Sequence, residues 1–429
     1  MDGTVSNDTI TSILKTGLHR TALEVSKKRT FAMHVAGGNL SYDFRGLHLG
    51  ATGVYIALSH PYEPSRSSTY ARYNLHGQRF WNVGFDYRYS LGRLSLTGEV
   101  ATGTRGYALI NRLRYQPTTD YQILLVHRLY SHDYWSWFGR SFGEGSSPQN
   151  ENGWYLALSA APVAHWRLFA SVDAFSFPWW RYRISKPSKG FDVMAKVEYE
   201  PSRLCSMYAT YRIKRRERDV TGTGGASIST TWHQKLRYRL QLSPGLFTLR
   251  TTLDYNRFLQ RNVDSYTFMP RQGWQATQML AYGSSTHPLS ASAQATYFHT
   301  NDYDSRVYVS ERGLQGTFYT PSYYGHGLRY SATLRLNFDR ILAQPFFKRL
   351  LHRSAPAHPA AGSGPLEAGT YSSQSPNGQT TSHKRTLSLM LLAKIGHTIY
   401  HNRESISSGN DLIPSSHKTD IQLQLRLKL

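Results

Sequence analysis

The sequence predicts an all-β protein, an up-and-down antiparallel transmembrane β-barrel of about 16–18 strands. Three observations predict it. Apolar and polar residues alternate along most of the chain, short turns alternate with longer polar segments, and the composition is both basic and aromatic. The 429 residues are enough for two or three ordinary domains, but a large β-barrel reaches this size as one domain.

The alternation has period two. At the carboxyl end, Ile421, Leu423, Leu425 and Leu427 alternate with polar residues, so an extended strand places the apolar side chains on one face. The same pattern recurs at 191–199, 236–242, 247–255 and 328–338. Helical spacing is compatible only with the first dozen residues and with 340–352.

The connections alternate in length. Tight turns rich in Pro, Gly and Ser are predicted at 90–92, 116–119, 162–165, 200–203, 243–245 and 284–287. Longer polar segments lie between them at 60–79, 131–152, 177–189, 215–230, 257–272 and 301–326. Short periplasmic turns and longer extracellular loops are typical of transmembrane barrels, whereas a soluble sandwich has shorter strands.

The composition is unusual. There are 50 Lys+Arg against 27 Asp+Glu, giving a net charge of +23, with 13% aromatic residues and one Cys. The aromatic content excludes a disordered basic tail, and the single Cys excludes a disulfide scaffold or a multi-thiolate metal centre. A nucleic-acid-binding surface and a membrane barrel remain as classes. In a barrel, we expect the interfacial aromatic girdles to include Tyr87, Tyr89, Tyr130, Trp154, Tyr155, Tyr199, Tyr255 and Tyr400.

The predicted organisation is an amino-terminal lead-in at 1–28 and the barrel at 29–429. A flexible low-complexity insertion at 342–385 replaces an expected short turn, since 355–381 is rich in Pro, Ala, Gly and Ser. No apolar run of about 18 residues predicts a helical span. The residues after Met1 lack a secretory signal, which by itself indicates the cytosol. Because the rest indicates export, we expect a fragment whose amino-terminal part is missing.

The basic residues of the strands fall mainly on the polar phase. Arg or Lys facing the bilayer midplane costs about 2–4 kcal/mol, so we expect these side chains in the lumen. One interpretation is a basic interior that favours anions; the favoured one is a network with Asp192, Glu198 and Asp254 that stiffens a plugged lumen. The predicted lumen-facing basic residues are Arg112, Arg114, Arg212, Lys214, Lys235, Arg237, Arg239, Arg250, Arg329 and Arg335.

Signals for catalysis are weak. The segment 139–143 matches the G-x-S-x-G pattern around Ser141, but no helical pattern follows it, as the serine-hydrolase turn requires. His127 or His132 is a conceivable base, and the spacing selects neither. The histidines show no metal-ligand spacing, and Cys205 falls on the apolar phase. The sequence therefore predicts no enzyme, no metal and no cofactor.

Several segments, taken in order, resemble a known family. These are the residues at 142–155, 173–192, 211–214, 306–311, 324–330, 396–400, 407–413 and 422–426. Together they resemble the carboxy-terminal outer-membrane β-barrel of the helix-hairpin-helix-containing proteins of Bacteroidota, from near Gly17 to the end. The family-motif residues are Asn150, Glu151, Gly153, Asp173, Pro178, Trp179, Tyr182, Gly190, Tyr308, Gly325, Gly327, Tyr400, Gly409 and Asp411.

The resemblance implies an exported outer-membrane protein of the Gram-negative envelope, whose full form begins with a signal peptide and helix-hairpin-helix repeats. Such repeats bind DNA in other proteins. The implied partners are outer-membrane lipid, lipopolysaccharide and the barrel-assembly machinery, with DNA or another anionic polymer as a further candidate. The chain departs from the family by lacking a recognisable helix-hairpin-helix segment, by its 342–385 insertion and by ending in Leu429 rather than an aromatic residue.

The function expected from the sequence is therefore an outer-membrane channel or envelope scaffold with a basic lumen, linked as a hypothesis to DNA or another anionic polymer. Two alternatives stay open. One is a soluble, basic, all-β nucleic-acid-binding protein, which would purify without detergent. The other is an outer-membrane hydrolase that uses Ser141.

Overall fold

The computed structural model describes residues 1–222, 225–261, 267–283, 287–317, 320–342, 388–407 and 412–428. The only helices of this described part, apart from two 3-10 turns at Thr69–Ala71 and Tyr303–Ser305, are α1 (Ala22–Ser26) and α2 (Phe338–Leu342). No helix among the described residues is long and apolar enough to cross a membrane. The strands are β1 (Gly3–Ser6), β2 (Thr9–Ile13), β3 (Met33–Phe44), β4 (Leu47–Tyr62), β5 (Gly77–Leu91), β6 (Leu94–Gly103), β7 (Tyr107–Tyr115), β8 (Tyr121–Tyr130), β9 (Glu151–Ala160), β10 (Trp166–Phe177), β11 (Ser188–Ser202), β12 (Cys205–Gly222), β13 (Gly225–Leu242), β14 (Phe247–Arg261), β15 (Phe268–Tyr282), β16 (Leu289–Thr300), β17 (Val307–Tyr308), β18 (Ser322–Tyr323), β19 (His326–Asn337), β20 (Ser388–Tyr400) and β21 (His417–Lys428).

The strands form an up-and-down antiparallel meander. Its sheet has 19 strands among the described residues, of which β1 and β2 are short and the others have 9 to 18 residues. Consecutive long strands pair antiparallel, from β3 with β4 through to β20 with β21. The prediction of an all-β, up-and-down antiparallel fold is confirmed.

Each long strand has two chemically different faces. On β5, Trp81, Val83 and Phe85 are 44%, 49% and 48% exposed, while Asp86 and Arg88 point to the opposite side because side chains alternate along a strand. We call these the apolar face and the polar face. The register extends the two faces across neighbouring strands, since Phe85 lies opposite Val100 and Arg88 lies opposite Thr97.

The described chain consists of two compact units. Unit 1 contains Met1–Pro201, Tyr208–Arg237 and Asn256–Arg271, and unit 2 contains Ser202–Met207, Tyr238–Tyr255 and Gln272–Leu429. In unit 1, the β1–β2 hairpin packs on β4 and β5, and the resulting core consists of Ile10, Phe31, Ile56, Leu58, Leu75 and Phe80. In unit 2, the segment between β16 and β19 packs on the strands, with a core of Phe298, Val307, Val309, Tyr323, Tyr400 and Ile406.

The first dozen residues, whose spacing is compatible with a helix, form the β1–β2 hairpin instead. Asn7 and Asp8 both adopt positive φ angles, 48° and 61°, which is the backbone of a two-residue type I′ hairpin turn. Ile10, the first apolar residue of β2, is fully buried in the unit 1 core. The turn therefore gives a hairpin where apolar spacing alone is compatible with a helix.

Two predicted long loops are mostly strand. β12 continues to Gly222 and β13 begins at Gly225, and β14 and β15 extend to Arg261 and from Phe268. The residues at 215–218 are charged on both faces, which favours a loop. The apolar-face residues Arg215 and Glu217 form an ion pair at 3.2 Å, so strand pairing continues through a charged stretch.

Two residues predicted in the aromatic girdles are buried instead. Tyr130 is 2% exposed, and Tyr400 packs against Phe298 in the unit 2 core. Both lie at the last position of a strand, where a polar-face side chain meets a folded loop rather than an interface. The insertion at 342–385 lies outside the described residues beyond Leu342. The same holds for the part of 340–352, the segment compatible with helical spacing, that follows the end of α2.

Candidate functional site

A buried arginine organises the polar face of unit 1. Arg128 on β8 has a fully buried side chain, and its Nε donates to Oε1 of Glu151 at 2.5 Å. Its Nη1 and Nη2 donate to the two carboxylate oxygens of Asp173 at 2.8 and 3.1 Å. Such bidentate, charge-assisted hydrogen bonds are strong and directional. We call Arg128, Glu151 and Asp173 the Arg128 cluster.

The glycine of the neighbouring strand makes room for this arginine. Arg128 lies opposite Gly153 on β9, and a Cβ at Gly153 would lie 2.6 Å from the guanidinium carbon. No real Cβ comes that close to a heavy atom. Gly153 therefore lets the guanidinium lie flat across β9 and reach Asp173 on β10.

The Arg128 cluster also holds a loop. Glu151 is 1% exposed and accepts hydrogen bonds from the backbone N–H groups of Glu144 at 3.0 Å and Gly145 at 3.2 Å. Both groups belong to the connection between β8 and β9. That connection is consequently fixed against the polar face instead of extending away from the strands.

Glu144 anchors the same loop to β12. Its carboxylate accepts from Nζ of Lys214 at 2.8 Å and from Arg216. Burial is the largest influence on the Glu144 pKa and raises it, but the two cations together outweigh burial and hold the pKa below its ordinary value. The carboxylate is therefore ionised at neutral pH.

A second acid on the polar face pairs with the predicted basic residues of β12. Asp192 lies opposite Asp173 in the register of β10 and β11, and it binds Arg212 and, at 3.0 Å, Lys214. Of these two adjacent carboxylates, Asp173 binds Arg128 and Asp192 binds the cations of β12. Arg212 and Lys214 therefore act as partners of buried acids.

Asn150 joins two connections of unit 1. Its side chain accepts from the backbone N–H of Trp179 at 2.7 Å and donates to the Trp179 carbonyl at 2.9 Å. The Trp179 indole N–H donates to the carbonyl of Thr69 at 3.1 Å, and its ring stacks with His132. Next to it, Pro178 is exposed and Tyr182 packs edge-on against Tyr70.

Unit 2 contains a related arrangement, the Arg329 cluster of Arg329, Glu311 and Lys394. Glu311 belongs to the connection between β17 and β18. Its side chain is fully buried and pairs with Arg329 at 2.9 Å and Lys394 at 2.9 Å. Arg329 also donates to Asp420 at 3.1 Å. Burial raises the Glu311 pKa, but the hydrogen bonds from Arg329 and Lys394 outweigh it and leave the pKa below its ordinary value.

Other family-motif residues shape the backbone. A Cβ at Gly190 would meet Phe175, and one at Gly327 would meet Phe298 and the Ile399 carbonyl. Gly325 has a φ of 93° and donates its N–H to Thr300 Oγ1 at 2.7 Å. The carbonyl of Tyr308 accepts from Gln275 at 3.2 Å. Gly409 and Asp411 lie outside the described residues.

The remaining predicted lumen-facing residues lie on the polar phase of their strands. Some of them donate hydrogen bonds to neutral side chains, and others alternate with exposed apolar side chains or line a cavity. Arg239 donates to Thr252 at 3.3 Å, Arg250 to Gln241 at 2.7 Å and Arg335 to Ser290 at 2.7 Å. Lys235 and Arg237 alternate on β13 with the exposed Leu236 and Tyr238. Arg112 and Arg114 line a cavity of about 630 Å³ on the polar face of unit 1.

The serine motif lacks a base. Ser141 Oγ is 2.7 Å from the hydroxyl of Tyr130, whereas His127 stacks on the exposed Trp154 and His132 stacks on Trp179. In the described part of the chain, neither histidine is bonded to Ser141, and no group of three metal-ligating side chains occurs. Cys205 is a half-buried free thiol. The geometry gives no support to the hydrolase alternative.

Sequence reasoning missed several members of these clusters. Arg128 has Glu151 and Asp173 as partners, both of which the family resemblance selects, but Arg128 itself follows a largely apolar run on β8. Glu144, Glu311 and Lys394 carry no periodic signal of their own. Glu144 and Glu311 do fall in segments of the family resemblance, which was the one available indication.

Comparisons with known proteins give little further guidance. No protein-family model matches the sequence, and no curated protein matches it. The outer membrane channel DcaP of Acinetobacter baumannii has a TM-score of 0.31 and 10% identity, covering 63% of this chain and 93% of its own. OccK5 (OpdH) of Pseudomonas aeruginosa has a TM-score of 0.31 and 10% identity, covering 92% and 96%. Similarity at this level carries no argument about this chain.

Proposed function

We propose that this chain is an outer-membrane β-barrel channel protein and not an enzyme, with the polar face turned to a water-filled lumen. The observation that carries the proposal is the separation of the two faces. Large apolar side chains such as Trp81, Leu156 and Leu253 are exposed on one face, where a soluble protein would bury them. In lipid they are the favoured surface.

The backbone supports the same proposal. Lipid cannot hydrogen-bond to peptide groups, so only helices and closed β-sheets cross the hydrocarbon core. Long strands joined in an antiparallel meander satisfy their peptide groups with their neighbours. The long strands have 9 to 18 residues, against the roughly 9–11 residues that a tilted crossing needs.

Loop residues buried against the polar face support a narrowed lumen. Glu144 and Glu311 each leave their connection to bind polar-face cations. Loops folded onto the polar face in this way reduce the cross-section of the lumen at the end of the strands where the long connections lie. This arrangement favours passage of small solutes over passage of a polymer.

The resemblance to the helix-hairpin-helix-containing barrels of Bacteroidota stays a proposal, together with the implied lipopolysaccharide, assembly-machinery and DNA partners. The +23 charge attracts any polyanion, so it does not select DNA. Filter binding at several salt concentrations tests DNA directly. A lack of salt-sensitive affinity would remove that hypothesis.

The membrane orientation is tested with two substitutions on neighbouring residues of β6. Val100 lies on the apolar face and Glu99 on the polar face. Val100→Arg should cost about 2–4 kcal/mol if Val100 faces the bilayer midplane, measured by urea unfolding in lipid vesicles. Glu99→Arg is the matched control and should cost less. Equal costs, or purification of the native chain without detergent, would contradict the proposal.

The channel activity is tested in planar bilayers. Purified chain should give discrete conductance steps in KCl. A barrel that inserts, as shown by protection from protease in vesicles, but gives no conductance would restrict the function to an envelope scaffold.

A further inference from the structure

Three arginines of unit 1 differ from those that bind carboxylates. Arg88 on β5 and Arg112 and Arg114 on β7 are exposed on the polar face and line the cavity of about 630 Å³. Within the described part of the chain, none of them forms an ion pair, whereas Arg128, Arg212 and Arg329 each bind a carboxylate. Their charge is available to a ligand.

The register brings these arginines together. His48 lies opposite Arg88, Arg88 opposite Thr97, and Thr97 opposite Arg112. These four side chains form one row across β4 to β7. Arg88 and Arg112 are two strands apart, roughly 9–10 Å at their backbones, a span that two long side chains can close onto one anion.

The next row adds hydroxyl donors and a third guanidinium. Ser90 lies opposite Ser95, and Ser95 lies opposite Arg114. Arg112 Nε donates to Thr97 Oγ1 at 3.1 Å, which fixes its guanidinium over β6. The cavity thus presents three guanidinium groups and several hydroxyls from adjoining positions.

The acids of the cavity are Asp86 and Glu99. Asp86 Oδ2 is 3.2 Å from His48 Nε2, so this carboxylate contacts the imidazole of His48. Glu99 lies opposite Asp86, and these two acids form the row next to that of Arg88 and Thr97. Both acids therefore lie at one side of the arginines, and the row of Arg88, Thr97 and Arg112 remains open.

We propose that Arg88, Thr97, Arg112 and Arg114 form a binding site for a small phosphorylated solute. Guanidinium groups match phosphate oxygens with two parallel hydrogen bonds, and three of them exceed what a single carboxylate needs. The cavity is large enough for a phosphoryl group together with an organic moiety. This site deepens the proposed channel function and rests on it for access from the lumen.

The first test is a binding measurement that needs no conductance. Isothermal titration of the purified full chain in detergent uses inorganic pyrophosphate, with succinate as the carboxylate comparison. The Arg88→Gln and Arg112→Gln double variant should bind pyrophosphate at least about tenfold more weakly, since charge-assisted contacts are lost. Arg93→Gln is the control, because it removes the same charge in the adjoining β5–β6 turn and should change affinity less than about twofold.

A second variant keeps the result interpretable if the double variant misfolds. Replacing Arg88 and Arg112 by Lys preserves charge and removes the bidentate geometry. The affinity of this variant for pyrophosphate should therefore lie between that of the wild type and that of the double variant to Gln. If the wild type binds no pyrophosphate, or if the double variant and Arg93→Gln lose affinity equally, the site is overturned. Tighter binding of succinate than of pyrophosphate would overturn the phosphate assignment.

The conductance measurement separates this proposal from the channel proposal. Pyrophosphate should reduce the KCl conductance of the wild type but not that of the double variant. Binding without any conductance would leave the site and remove the channel. Conductance without binding would leave the channel and remove the site.

Discussion

The guanidinium of Arg128 occupies the space beside Gly153 on the adjacent strand, where a Cβ would lie 2.6 Å from Cζ. Unit 2 repeats the relationship, because a Cβ at Gly396 would lie 2.5 Å from Cζ of Arg329. In both units, a glycine allows a buried arginine to lie across the sheet and bind a buried glutamate, Glu151 in unit 1 and Glu311 in unit 2. The space that each guanidinium needs explains why glycine occurs on the polar face at Gly153 and Gly396.

Gly153→Ala should displace Arg128 and weaken its bonds to Asp173. Overpacking of this kind typically costs about 1–3 kcal/mol, which urea unfolding in detergent micelles would detect. The matched control is Gly53→Ala on β4, where a Cβ has no neighbour within 4 Å. Equal stability of the two variants would contradict the proposed fit.

Arg128→Met should be more damaging than Gly153→Ala. It leaves the carboxylates of Glu151 and Asp173 buried without their cation, a loss of about 3–5 kcal/mol in comparable buried pairs. Adding Glu151→Gln and Asp173→Asn removes the uncompensated charges and should recover part of the loss. A single variant as stable as the wild type, or a triple variant no more stable than the single one, would contradict this account.

The fold was predictable from the sequence because the alternation of a strand is local. The alternation of apolar and polar residues in the sequence is enough to assign Leu236, Tyr238 and Leu253 to one face, and all three are exposed. The clusters were not predictable in this way. Arg128 reaches Asp173 across 45 positions, and Glu311 meets Lys394 across the insertion. Such partners depend on strand register and on how the loops fold, and a local sequence pattern does not specify either.

The burial of Tyr130 shows the same limit. An aromatic residue at a strand end predicts an interfacial girdle. Instead, the Tyr130 hydroxyl donates to the Phe142 carbonyl at 2.8 Å and accepts from the Ser141 hydroxyl at 2.7 Å. Its role depends on where the β8–β9 connection folds. That fold depends in turn on Glu151.

Ser141→Ala should leave any hydrolytic background unchanged and reduce stability slightly. The substitution removes one hydrogen bond to Tyr130, and such a bond contributes about 0.5–1.5 kcal/mol. Labelling by a fluorophosphonate probe should be absent in the wild type and in the variant. Labelling of the wild type that Ser141→Ala abolishes would restore the hydrolase alternative.

The stability contribution of Glu311 should disappear in acid. Its pKa is held below the ordinary value of about 4.3 by Arg329 and Lys394, so the folded state binds its proton less readily than the unfolded state. The contribution is fully present above the ordinary pKa and is lost as the pH falls through the lower folded pKa. Unfolding of wild type and Glu311→Gln should therefore differ most near neutral pH and converge as the pH falls below the lowered folded pKa.

The control for this titration is Glu404→Gln, which changes an exposed carboxylate of the same unit. Its stability difference from the wild type should be small at every pH, because an exposed charge gains little from its surroundings. A difference between wild type and Glu311→Gln that stays constant from neutral to acid pH would contradict the role of the ionised carboxylate. A difference that grows in acid would show that the protonated form is the one that the folded state prefers.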